Sequence, residues 1–353
     1  IVYAGFGSVA GSGGAVTGVA GNFDLSTQVS SSSGLDYSGF NLGTVAGNGG
    51  GTITGSGQTY TLDNTIADKG SNGGISWTGF GNIDDSSGTV VFGTGGSVSG
   101  NITAQTLDYS SRAGVVSFDL SNGAGSTTGI GGTWSGVTSV AGNGSSATIA
   151  GAGQNYTLDD AIANKGTNGA VAWTGFGNIQ DPTGSVIFGI GGSVSGNVTA
   201  KALDYSSYGS AVNFDLAAGS GTTTGIGGSW SGVTAVTGSG VGDTIAGSNQ
   251  TYTLTGANAG NNGTVSWTSF ENIADSGTGT LQASGATFNL SGSNSGTVTT
   301  LLPGGFSGIG NLDDATGSVV FGAGGSLGGN VTAKALDYSS YGSAVNFDLA
   351  AGS

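Results

Sequence analysis

Carboxylates are the main residue type in this sequence that could do acid–base or metal chemistry. The chain carries 20 Asp and Glu but no His and no Cys. That removes Ser–His–Asp catalysis, His and thiolate metal centres, and Cys nucleophiles. Glycoside cleavage needs two carboxyl groups converging on one bond. The adjacent acids are Asp84-Asp85, Asp159-Asp160 and Asp313-Asp314. Neighbours on a strand point to opposite faces, and at a turn such residues bond the local backbone. The five cations, Lys69, Arg112, Lys165, Lys201 and Lys334, fall at scattered positions. Lys201 and Lys334 occupy the same place in two copies of one motif, which reads as surface rather than as a unique site. We therefore expect no enzyme activity, no catalytic residue, no bound cofactor and no metal.

Calcium is the one metal with a motif to weigh. Gly238–Ala246, GSGVGDTIA, is similar to the Gly-Gly-x-Gly-x-Asp nonapeptide that binds Ca²⁺ when it recurs in tandem. One glycine is misplaced, no tandem copies follow, and the counterpart at Gly142–Ala150, GNGSSATIA, has no Asp. A calcium-stabilised binding module therefore stands as an alternative. So does a carbohydrate-active enzyme built on a β-helix. Thr-x-Thr pairs such as Thr52-Ile-Thr54, Thr59-Tyr-Thr61 and Thr297-Val-Thr299 are too irregular for a flat ice-binding grid. The sequons at Asn101-Ile-Thr103 and Asn197-Val-Thr199 are expected by chance in a chain this rich in Asn and Thr.

The elements that would position any such residue are repeats. Gly196–Ser220, GNVTAKALDYSSYGSAVNFDLAAGS, recurs letter for letter at Gly329–Ser353. A diverged copy runs from Gly100 to Ala124, NFDLS appears at Asn22–Ser26, and Val2–Gly11 resembles Val91–Gly100. Tyr60 and Tyr156, Trp77 and Trp173, and Trp134 and Trp230 are each 96 residues apart. Self-similarity at a long fixed period is the mark of an array. The super-repeats run approximately 1–76, 77–172, 173–266 and 267–353, in one continuous solenoid. The last is lengthened, because Leu107 to Leu203 is 96 residues but Leu203 to Leu336 is 133. The excess lies near 273–311, between the similar motifs at Asn272 and Asn311.

A solenoid accepts whole turns far more readily than fractions of one, because a fraction throws later side chains out of register. If the step from Asn272 to Asn311 is two turns, one coil is about 19–20 residues and the 96-residue unit is five coils. Short β-branched and aromatic runs, such as Val116–Leu120 and Tyr156–Leu158, are separated by Gly and Asn, as strands and turns are. No stretch keeps a helical period, and Leu158–Ala163 offers at most one helical turn. The fold class this predicts is all-β, a right-handed parallel β-solenoid (β-helix) with 19–20-residue coils. Roughly 18 coils at about 4.8 Å would make a rod of about 85 Å, with Trp77 and Trp173 about 24 Å apart. Tandem β-sandwich domains are the alternative.

Composition narrows the function classes. Seventy-seven glycines invite a disordered reading, but 2 prolines, 29 aromatics and 7% charged residues argue against it. A net charge of −15, with only 5 cations, speaks against nucleic acid and against anionic membrane surfaces. No apolar run is long enough to span a membrane, and no signal peptide is visible. The absence of Cys fits an exported protein. A start at Ile1 and an end inside a repeated motif lead us to expect a window of a longer polypeptide.

The block from Leu203 to Gly240, LDYSSYGSAVNFDLAAGSGTTTGIGGSWSGVTAVTGSG, resembles repeats of large bacterial surface and secreted β-strand-repeat adhesins, similar to filamentous haemagglutinins. The resemblance implies an extracellular or cell-surface stalk. It would be a structural and adhesive fibre segment whose partners are itself, head to tail or laterally, and surface or cell-envelope glycans. It assigns no functional residue.

Overall fold

A computed structural model describes residues 14–30 and 35–348. The Val2–Gly11 likeness and the last five residues of the repeated motif therefore lie outside the described residues. The chain divides into two compact units. One takes Ile1–Tyr156 and Asn164–Asp181, and the other takes Thr157–Ala163 and Pro182–Ser353. Each is built of stacked parallel strands with no helix among the described residues, and together they contain about 10 turns of β-solenoid. The parallel registers rule out tandem antiparallel sandwiches, and Leu158–Ala163 forms no helical turn.

Many strands are short, because the inward and outward alternation of side chains lasts only as long as one flat face of the coil. Tyr60 and Leu62 point in while Thr59 and Thr61 point out. Inward residues stack as columns. In the first unit Phe23, Ile53, Ile83, Ile102 and Trp134 lie one on the next. Tyr60, Val90, Leu107, Val140 and Trp173 form another column, every member at most 1% exposed. In the second unit Phe214, Ile245, Ile273 and Phe306 do the same. The core is these columns, and with them are buried a few polar residues, among them Asp85, Asp181, Asp243, Asp275 and Asp314.

The columns correct the coil length. Ile53 stacks under Ile83, and Val140 under Trp173. Hydrogen bonds between neighbouring circuits have the same span. From Phe23 to Thr54 is 31 residues, from Asn101 to Thr133 is 32, and from Gln105 to Thr138 is 33. The 96-residue super-repeat therefore does not divide into five equal coils: from Tyr60 the parallel steps run 30, 17 and 33 residues to Val90, Leu107 and Val140, and the chain holds about 10 turns, not 18. At about 4.8 Å per strand, Trp77 and Trp173 are six strand spacings apart, through the strands of Gly70, Tyr60, Val90, Leu107 and Val140, or about 29 Å rather than about 24 Å. The shorter step does occur, from Ile83 to Ile102, where one circuit is cut short. Near 273–311, Ile273 pairs with Phe306, one full circuit on. The inserted stretch is thus about one circuit, not two coils. The step from Asn272 to Asn311 is not a whole number of circuits, since Asn272 pairs with Gly305 and Asn311 with Thr280. Dividing it therefore gave a coil length that the fold does not have.

Long circuits arise because part of each one leaves the parallel stack. Thr59–Leu62, Lys69–Ser71 and Ser76–Thr78 form an antiparallel meander. Thr251–Gly256, Ala259–Asn261 and Ser266–Thr268 repeat it in the second unit. In each, a Trp lies edge-on to a Tyr: Trp77 to Tyr60 at 5.8 Å and Trp267 to Tyr252 at 6.2 Å between ring centroids.

Candidate functional site

The residues able to do chemistry are held in recurring brackets between circuits. Asp85 is 2% exposed. Its Oδ1 accepts from the Gly57 and Ser87 amides at 3.0 and 3.1 Å and from the Ser87 hydroxyl at 3.0 Å. Its Oδ2 accepts from the Gln58 amide at 2.8 Å and from the Tyr60 hydroxyl at 3.1 Å. Local sequence dictates this. Ser56-Gly57-Gln58 turns tightly ahead of the Tyr60 strand and aims its amides at the next circuit, where Asp85 follows Ile83 by two and so points inward.

The bracket is built again. Asp181 accepts from the Gly153 and Gln154 amides at 2.9 and 2.8 Å and from the Tyr156 hydroxyl at 3.2 Å. Asp275 accepts from Asn249, Gln250 and Gly277 amides at 2.9, 2.9 and 2.7 Å and from the Tyr252 hydroxyl at 2.9 Å. Asp314 takes the Gly285 and Ala286 amides at 3.0 and 2.8 Å, with Phe288 standing where the other copies have Tyr. In three copies the glutamine of the turn is also tied to the meander: Asn72, Asn168 and Asn262 donate to the side chains of Gln58, Gln154 and Gln250 at 3.1, 3.0 and 3.1 Å.

Burial pushes the Asp85, Asp275 and Asp314 carboxyls up. The amide and hydroxyl donors around each outweigh it and hold all three below the ordinary carboxylate value. For Tyr60 and Tyr252 burial and the facing carboxylate act together, and both phenols are pushed far above their usual range. These are carboxylates fixed as anions and phenols fixed as donors. Neither is poised to exchange a proton near neutral pH.

The other candidates are also spoken for. Of the acid pairs, Asp84 and Asp313 are exposed while Asp85 and Asp314 are buried, on opposite faces of one strand. Asp159 accepts from the Ala161 and Ile162 amides at 3.1 and 3.0 Å, and Asp160 from the Ile190 amide at 3.0 Å. In the calcium-like stretch, Asp243 is fully buried. It accepts from the Val212 and Gly240 amides at 2.7 and 2.9 Å and from the Ser239 hydroxyl at 2.7 Å. Its own amide donates to Glu271 at 2.8 Å. Its carboxylate thus takes a place in the fold that its counterpart in the preceding repeat fills without an acid. Among the described residues no group of three or more His, Cys, Asp or Glu gathers.

Lys69 pairs with Asp63 at 3.0 Å, and the Arg112 guanidinium donates to the Gly96 carbonyl. Lys201 and Lys334 are exposed, and Lys165 is half-buried. The Thr-x-Thr residues flank inward side chains: Thr52 and Thr54 flank buried Ile53, and Thr59 and Thr61 flank buried Tyr60. The sequon residues Asn101 and Asn197 tie circuits together, accepting from the Thr133 and Ser229 amides at 2.8 and 2.9 Å. A cleft of about 500 Å³ in the second unit is lined by Ala163, Ser193–Ser195 and the turn Gly221–Gly227. Its hydroxyls serve the turn itself, with Thr222 donating to Asp215 at 2.5 Å and Thr224 accepting from the Asn213 amide at 2.9 Å.

The sequence reading missed Asp181 and Asp275. The signal was present: Tyr60 to Asp85 and Tyr156 to Asp181 are both 25 residues, and Tyr252 to Asp275 is 23. Compared with known proteins, the chain matches no family model, no curated protein and no solved structure. The geometry identifies it as a β-solenoid repeat protein.

Proposed function

We propose that this chain is a structural and adhesive segment of an extracellular, cell-surface fibre that assembles with itself and works without enzyme activity or a resident cofactor. The observation that carries this reading is the repeated bracket. The residue types that could act on a substrate recur at one place in successive super-repeats, and there they hold one circuit to the next. A catalytic centre needs a unique constellation, whereas this chemistry is distributed evenly, as a scaffold requires. The outer faces carry hydroxyl pairs between circuits, such as Thr103 with Ser135 and Thr199 with Ser231, both at 3.0 Å. Such a coat keeps a weakly charged surface wet and offers hydrogen-bonding groups to glycans and to a second surface.

Electron microscopy of the purified chain, with analysis for axial spacing, tests the proposal. Thin filaments with a layer line at about 4.8 Å are expected. A chain that stays monomeric at high concentration, fails to bind glycan-coated surfaces and releases sugar from polysaccharide would overturn it in favour of an enzyme.

A further inference from the structure

The sequence has two prolines, one after Leu302 and one after Asp181. The second makes the chain's one Asp–Pro bond, and its aspartate is a bracket residue. Such a bond is unusually prone to cleavage by its own side chain in acid. Its nitrogen belongs to a tertiary amide, which takes a proton more readily than an N–H amide and leaves as a secondary amine. An aspartate oxygen can also reach the carbon of its own backbone carbonyl and close a five-membered ring.

The structure puts the two sides of this bond in opposite surroundings. Pro182 is exposed, on the side where a proton must arrive. Asp181 is 0% exposed. Its Oδ1 accepts from the Gly153 amide at 2.9 Å, and its Oδ2 from the Gln154 amide and the Tyr156 hydroxyl at 2.8 and 3.2 Å. Both oxygens are therefore turned to the preceding circuit and occupied. Ring closure needs one of them turned back onto the Asp181 carbonyl. The titratable groups around this carboxylate are Tyr156, which faces it, and Asp119, which acts on the same phenol.

The proline fits its place. In two other copies the ladder breaks just after the bracket aspartate, between Asp85 and Thr89 and between Asp314 and Ser318. A residue with no N–H to give is tolerated at such a break. The other brackets have Ser86, Ser276 and Ala315 after the aspartate, so this bracket alone carries the labile bond.

We infer that Asp181–Pro182 is a latent self-cleavage site that the bracket keeps closed. When the circuit opens in acid, an Asp181 side-chain oxygen adds to the carbon of its own backbone carbonyl. The bond from that carbon to the Pro182 nitrogen breaks. The nitrogen takes a proton from solvent and leaves as a secondary amine. The cyclic anhydride left on residue 181 takes up one water and opens to two carboxyl groups. Nothing is oxidised or reduced, and one water is consumed. The reaction runs once per chain and acts on no other molecule. The same carboxylate thus ties two circuits together while it is held and severs the chain once it is released.

Mass spectrometry of the full chain kept at about pH 4, folded and in urea, tests this. The variants are Tyr156→Phe and Pro182→Ala. The fold already accepts both changes, because the Asp314 bracket has Phe288 and Ala315 at the equivalent places. Fragments ending at Asp181 and starting at Pro182 are expected to accumulate at least about tenfold faster in urea than from the folded chain. Tyr156→Phe removes one donor and is expected to speed cutting of the folded chain about fivefold, with no change in urea. Pro182→Ala is expected to lose the cut in both conditions. Equal rates for the folded and unfolded chain would overturn the inference, because the bracket would then protect nothing. So would an unfolded chain that stays whole, or a Pro182→Ala chain cut as fast as the parent.

Discussion

At the scale of single residues, the buried aspartate is the group on which the circuits depend most sharply. Removing the Tyr60 hydroxyl takes one of five donors from Asp85, so Tyr60→Phe is expected to cost about 1 kcal/mol. The chain contains the equivalent change at Phe288, beside Asp314, and keeps the bracket with amides and Thr316 alone. Asp85→Ala strands the Gly57 and Gln58 amides and the Tyr60 hydroxyl, and about 3 kcal/mol is expected. Repeat arrays unfold in parts, so both costs are read locally, as faster exchange of the Gly57 and Gln58 amides. Acid should act through the same groups. Asp85, Asp275 and Asp314 have folded values below the ordinary carboxyl value. Below about pH 4 the unfolded chain therefore binds more protons than the folded one, and stability falls as pH falls. The contribution is complete above that range and lost as pH drops through the folded values. Thermal melting followed by circular dichroism at pH 7, 5, 3 and 2 should show a plateau and then a decline. Asp85→Asn should make that decline shallower. The acid types were legible in the sequence. Their partners were not, because the amides that hold Asp85 lie 27 and 28 residues earlier and only the circuit length brings them near.

At the scale of elements, the antiparallel meander is set by close approach of backbone and indole. A Cβ on Gly70 would lie 2.5 Å from Trp77 Cζ2 and 2.6 Å from the Thr61 carbonyl oxygen, and Gly260 faces the equivalent two groups in the second unit at 2.6 Å each. Both rings are locked, Trp77 at 1% exposure against Tyr60 at 0%, so neither can withdraw cheaply. Gly70→Ala is expected to destabilise its circuit by about 2 kcal/mol. Gly50→Ala, whose Cβ would meet nothing within 4 Å, should stay within about 0.5 kcal/mol of the parent. Urea melts followed by tryptophan fluorescence compare the two. The strands themselves were readable from alternation: Tyr60-Thr-Leu62 and Thr52-Ile-Thr54 sit in the structure as their pattern implies. The meander was not readable, because a three-residue strand such as Lys69–Ser71 has no apolar alternation and is held by its neighbours alone.

At the scale of the whole molecule, the circuit is the unit that can be added or removed, and its length is open to a direct test. Periodicity in the sequence revealed the 96-residue super-repeat but could not divide it, since identical letters recur only once per super-repeat and the steps within it are unequal, 30, 17 and 33 residues from Tyr60 to Val90, Leu107 and Val140. The lengthened region supplies the discriminating experiment. Deleting Asn272–Gly310 joins Glu271 to Asn311 and returns Trp267 and the residues after it to the order Phe-Glu-Asn-Leu-Asp-Asp, close to the Phe-Gly-Asn-Ile-Asp-Asp of Phe80–Asp85. Leu312 then takes the place of Ile273 on Ile245, and Val319 that of Leu281 on Tyr252, with inward residues still facing in. Deleting only Asn272–Ser291 would remove one whole coil if coils had the shorter length that the sequence arithmetic implied. With Ile273 and Phe306 one circuit apart in the same register, it removes little more than half a circuit. It places Ser293 and Ser295 where Ile273 and Asp275 were, so two polar side chains face the Ile245 column and the Asn249 and Gln250 amides lose their acceptor. The longer deletion is expected to express as a folded chain with the parent's β-sheet circular dichroism and melting temperature within a few degrees. The shorter deletion is expected to lose protection from exchange across residues 244–256, or to aggregate through the strand edges it exposes. Equal stability of the two deletions would mean that the circuit is half as long as the registers make it.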